Sequence, residues 1–112
     1  MKSDLAMPRK LRIHERILAV VEYEKAINKF FSRRDALYIL DLLLILSTVK
    51  YVVAEKLYRE SKLYRSAVEH LKKKKLLVSQ HGDKASILFL TEEGAELSRN
   101  LKELLEVLAM GD

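Results

Sequence analysis

The chain has 112 residues, 49% of them apolar and 33% charged, a balance expected of one globular domain spanning 1–112 with a modest core. It has no cysteine, which excludes disulfides, thiol catalysis and thiolate metal sites together. Its net charge of +5 is unevenly spread: residues 56–75 hold eight Lys/Arg against two Asp/Glu, or +6, whereas 92–112 hold two against six, or −4. That distribution is a basic patch on an otherwise balanced chain.

The N-terminal MKSDLAMPRK carries charges where a signal peptide would need an apolar core. Pro8 suits a first helical turn, and residues 8–31 read as an N-terminal helix. Ile13, Ile17, Val20, Ile27 and Phe31 step by threes and fours, with Glu24 the one polar member of the row. Arg9, Lys10, Arg12 and Arg16 crowd the early turns, either as a solvated face or as cations near a phosphate backbone. Ser32 or Asp35 can cap the next helix, which is expected to run to about Leu46. ALYILDLLLIL (36–46) is apolar almost all round, so other helices are expected to pack upon it. Tyr38 and Asp41 with Arg34 make its polar stripe, Asp41 facing solvent or pairing with Arg34. This longest apolar run is too short to span a bilayer, so the expectation is a cytoplasmic chain with no membrane partner.

Ser47 or Thr48 offers a further cap, and a short helix is expected through Val49, Val52, Val53 and Leu57. It should stop around Tyr58–Glu60, with no glycine in the turn, before Ser61 caps the next helix. In SKLYRSAVEHLKKKK (61–75), Tyr64, Ala67, Val68 and Leu71 fall on one helical face. The opposite face carries Lys62, Ser66, Glu69 and Lys73, flanked by Arg65 and His70. A solvated amphipathic helix would show the same pattern. Yet a helix packed by one side and basic on the other is also what a DNA major groove accepts. Two short helices with a tight join, the second basic, form a helix-turn-helix pattern.

After Lys75 the period changes. LLVSQ (76–80) and SILFL (86–90) are strand-like, and HGDKA between them marks a hairpin with a five-residue loop, His81 and Lys84 at its tip. In TEEG (91–94) Thr91 is a helix cap, with Glu92 and Glu93 at the positive end of the helix dipole. The last helix, 92–110, repeats Leu97, Leu101, Leu104 and Leu108 along one stripe. A domain this small seldom buries two extra apolar faces. Ile13, Ile17, Val20 and Ile27 of the first helix and the four leucines of the last are therefore the expected homodimer interface.

The order helix, helix, turn, basic helix, hairpin, helix resembles a winged helix-turn-helix domain over roughly residues 35–95. It is closest to MarR-like regulators and the small winged-helix proteins of archaea and their viruses. HLKKKKLL (70–77) is similar to the family's end of the recognition helix, with Lys75 where a glycine is usual. LFLTEEG (88–94) looks like its wing exit and final-helix start. The resemblance implies a mainly α fold with a small β-hairpin, within which 35–91 hold the helix-turn-helix and wing. It implies that helix 61–75 enters the major groove of double-stranded DNA and that wing 76–90 reaches the backbone or minor groove. By position it assigns Lys62, Arg65, Ser66, Glu69 and Lys73 to the groove and His81 and Lys84 to the wing. Arg59, His70 and Lys72 complete the candidate DNA-binding set. It also implies pairing through the terminal helices.

Enzymatic readings find no support in the residues. His14, His70 and His81 lack ligand spacing, and the three glycines form no phosphate loop. Glu92, Glu93 and Glu96 read as partners of a helix dipole rather than as a metal cluster. No cofactor or metal is expected. The expected function is a dimeric, sequence-specific transcriptional regulator; the alternative is a winged-helix protein-interaction module of a larger complex, which has no need of the +6 patch. Operator, direction of regulation and any small-molecule effector are left open.

Overall fold

The computed structural model of the chain describes residues 13–109, with side chains from Val20 onward. Pro8, Arg9, Lys10 and Arg12 lie outside the described residues, as do the side chains of Ile13, Arg16 and Ile17. The chain divides at Arg33–Arg34 into two compact units. The first holds helix α1 (Ile13–Phe31), on which Val20, Tyr23, Ile27 and Phe31 are all more than half exposed. Ser32 closes this helix rather than opening the next, its hydroxyl donating to the Lys29 carbonyl at 2.6 Å.

The second unit is a helical layer around a small sheet, in the order α2 (Ala36–Thr48), β1 (Val52–Val53), α3 (Ala54–Glu60), α4 (Leu63–Lys73), β2 (Leu77–His81), β3 (Ser86–Leu90) and α5 (Glu92–Ala109). The apolar run of α2 explains its place: Ile39, Leu42, Leu43 and Leu46 are buried, and α4 and α5 both pack against it. Tyr64, Ala67, Val68 and Leu71 of α4, Ala54 and Leu57 of α3, Leu77 of β2 and Leu88 of β3 join them in the core. The chain is thus mainly helical, with a three-stranded antiparallel sheet in the order β1-β3-β2.

Three local expectations are corrected. Val52 and Val53 are not helical; they pair with Leu88 and Ile87 as a third strand, for which β-branched residues are suited. Ser47 and Thr48 cap nothing forward: their hydroxyls donate back to the carbonyls of Leu44 and Ile45 in the last turn of α2. Tyr58, Arg59 and Glu60 belong to α3, and the turn is Ser61–Lys62. Both turn residues have negative φ, so the absence of glycine costs nothing there. Ser61 still meets an orphan donor, since its Oγ accepts the Leu63 N–H at 3.1 Å.

The far end of α4 is a Schellman closure. The Leu76 N–H reaches the Leu71 carbonyl at 3.0 Å and the Lys75 N–H that of Lys72 at 2.9 Å. Lys75 sits at φ 62°, the left-handed position usually given to glycine. Thr91 then ties this corner to α5. Its hydroxyl donates to the Lys75 carbonyl at 2.9 Å and accepts the Gly94 N–H at 3.0 Å, while its own N–H bonds the Leu76 carbonyl. Further along α5, Ser98 is fully buried and donates to the Leu43 carbonyl of α2 at 2.5 Å.

Candidate nucleic-acid interface

The basic face begins with what holds α4 from behind. Tyr64, Ala67, Val68 and Leu71 are buried against α2, which fixes the rotation of the helix. Lys62, Arg65, Ser66, Glu69, Lys72 and Lys73 consequently emerge into solvent, as do Lys74 and Lys75 beyond the last turn. His70 is half-buried, and Arg59 is exposed on the last turn of α3. At 100° per residue Lys62 and Lys73 point most directly away from the buried row, with Glu69 and Ser66 close on either side and Arg65 and Lys72 further round beyond Glu69.

Two carboxylates, Asp35 just before α2 and Asp41 within it, fasten this helix. Asp41 neither faces solvent alone nor pairs with Arg34; it accepts a hydrogen bond from the Tyr64 hydroxyl. Burial first, and then the Asp41 carboxylate, push the Tyr64 pKa well above the ordinary phenol value. Tyr38 packs edge-on against the Tyr64 ring, centroids 4.9 Å apart. Asp35, buried at the start of α2, makes no capping bond with its side chain; it accepts from the Ser66 hydroxyl at 2.6 Å. Ser66 is therefore exposed but already committed, its proton held by the core helix.

On its other flank α4 shares a cleft of about 360 Å³ with α3 and the hairpin, bordered by Glu55, Tyr58, Arg65, Glu69, Lys72 and His81. The Arg65 guanidinium carbon lies 4.3 Å from the centre of the Tyr58 ring. Glu69 pairs with Lys72 one turn on, at 3.8 Å. Burial raises the Tyr58 pKa above the ordinary phenol value. Glu55 accepts the Ser86 backbone N–H at 3.0 Å, and this bond holds its carboxyl below the ordinary value of 4.5.

The hairpin differs from expectation at its tip. His81 is the last residue of β2, opposite Ser86, and its Nδ1 lies 2.7 Å from the Ser86 Oγ. It stands at the base of the loop because the register extends one pair further than the apolar run suggests. The loop itself is residues 82–85, closed by the Gly82 N–H to the Ala85 carbonyl at 2.8 Å, and Lys84 is exposed on it. Tyr58 and Glu55 were not legible as parts of this surface, nor Asp35 as its buried support. Tyr58 stands seven residues before Arg65 across a turn, a separation that only the helix-to-helix join converts into contact.

Of the proposed pairing residues, Val20 and Ile27 are exposed on α1. On α5 Leu97, Leu104 and Leu108 are exposed, and Leu101 is half-buried. Among the described residues no group of three His, Asp or Glu side chains is placed to hold a metal ion, and no helix is long and apolar enough to cross a membrane. Compared with protein-family models, curated proteins and solved structures, the chain matches none.

Proposed function

We propose that the chain is a winged helix-turn-helix regulator that binds double-stranded DNA as a homodimer, α4 lying in the major groove and the β2–β3 hairpin acting as the wing. The observation that carries this reading is the division of α4 itself. One side is locked into the core by apolar burial and two carboxylate bonds, and the other presents Lys62, Glu69 and Lys73 to solvent with Arg65 and Lys72 beside them. A helix so fixed can offer side chains to base edges without first losing freedom on binding. Lys84 on the hairpin loop and Lys74 and Lys75 at the helix end supply phosphate contacts around that face.

The test is the dissociation constant for duplex DNA across a salt series. With about six phosphates neutralised, the slope of log affinity on log salt is about −5. A flat plot would sink the reading and leave the basic face to an acidic protein partner. Selection from a random duplex pool then separates sequence-specific from architectural binding.

A further inference from the structure

The Tyr58–Arg65 contact lies outside the buried apolar core. Arg65 is exposed, and Glu69, the nearest acid on its own helix, is paired with Lys72. The ring of Tyr58, half-buried in α3, is its partner across the helix-to-helix turn. An exposed arginine loses much rotamer freedom when it forms a directed bond, and a guanidinium already resting on an aromatic face has given up part of it beforehand. Such an arginine suits bidentate recognition, in which a planar fork must meet two acceptors at fixed spacing.

Resting on the DNA reading above, we propose that Tyr58 is a positioning residue for sequence selectivity: it holds Arg65 as the fork that reads the O6 and N7 acceptors of one guanine in the major groove. The choice of a base over a phosphate follows from the neighbours. Glu69 is balanced by Lys72, but Glu55 borders the same cleft without a cation paired to it among the described residues, and its carboxylate disfavours a phosphate there while leaving a neutral base edge acceptable.

Three variants test this against the unmodified protein: Tyr58→Leu, Tyr58→Phe and Arg65→Lys. Each is carried through selection from a random duplex pool and through a salt series on the preferred duplex. The unmodified chain is expected to select guanine at one position of each half-site. Tyr58→Leu should lower the preference there by about 10-fold while the other positions and the salt slope stay as they were. Tyr58→Phe, which keeps the ring, should restore the preference, and Arg65→Lys, which keeps the charge without the fork, should abolish it. A loss of affinity shared by all duplexes in Tyr58→Leu, or a Tyr58→Phe variant no better than Tyr58→Leu, overturns the proposal and makes Arg65 a phosphate contact or Tyr58 a packing residue. If the unmodified chain binds no duplex at all, it is the DNA reading that has failed, a result separate from either of these.

Discussion

A methyl group at position 94 would stand 2.0 Å from the Leu76 carbonyl oxygen, and that oxygen is fixed by the Thr91 N–H. Backbone faces backbone there, so no side-chain rotation relieves the clash and α5 would have to lift from the β2 entrance. Gly94→Ala is therefore expected to destabilise by more than about 3 kcal/mol, read as a fall in the urea midpoint. Nineteen positions earlier the reverse holds. Lys75 occupies the left-handed region at φ 62°, where a side chain costs about 1–2 kcal/mol. Lys75→Gly removes that strain but frees the unfolded chain by about 0.4–1 kcal/mol. The net expectation is a gain of about 0.5–1 kcal/mol in urea unfolding, and no gain would mean the corner is unstrained. Glu55 gives a pH signature. Its carboxyl lies below 4.5 when folded because the Ser86 N–H favours the charged form. The sign follows: the stabilisation is complete above the ordinary carboxylate pKa and disappears as pH falls through the depressed folded value. Glu55→Gln should accordingly flatten the melting temperature below about pH 4.5 and leave its shape above that unchanged.

Helix α4 carries exposed side chains of two kinds, one bonded back to the core and others directed to solvent, that its sequence does not separate. The 3.6-residue period made its buried row legible, and Tyr64, Ala67, Val68 and Leu71 are buried as that row requires. The same period placed Ser66 on the outer face, which is correct for its exposure and silent about its proton. Only the fold brings Asp35, far back in the chain, to 2.6 Å from that hydroxyl. Likewise Val49 to Leu57 satisfies a helical spacing on paper. Val52 and Val53 become a strand because β3 offers an unpaired edge there, a fact of tertiary structure. The boundaries of α5 and the Thr91 cap were legible because capping is local chemistry. The consequence for Ser66 is measurable. Ser66→Ala removes a hydrogen bond to a buried carboxylate and should cost about 1.5–3 kcal/mol of stability, whereas a serine serving only to touch DNA would cost almost none. Ser66→Thr, which keeps the hydroxyl, should recover most of the loss. Denaturant unfolding without DNA decides between the two roles.

At the scale of the whole molecule, each unit ends with apolar surface uncovered. Val20, Tyr23, Ile27 and Phe31 are exposed on α1, and Leu97, Leu104, Val107 and Leu108 on α5. The exposure on α5 is greatest toward its end, 71% at Val107 and 74% at Leu108. The reason is geometric: Gly94 and Ser98 hold the first turns against the neighbouring strand and α2, and the later turns run past that support. Leucines on a helix standing clear of its own core are stable in water only at a cost of about 1.5–3 kcal/mol each relative to burial, so a second copy is the occupant proposed for this face. The half-buried Leu101 is a poor probe, since a charge there disturbs the α5 packing as well. Leu104 and Leu108 lie further out and test association without touching the core. Leu104→Arg with Leu108→Arg is expected to leave the unfolding midpoint of the monomer nearly unchanged and to abolish association at micromolar concentration. On the proposed DNA reading two linked α4 helices would share one binding event, so loss of the pair should weaken a palindromic duplex by about 100-fold or more while a single half-site is bound as before. Sedimentation of the unmodified chain sets the baseline: a single 13.0 kDa species would refute the dimer and leave the α5 leucines to a different partner.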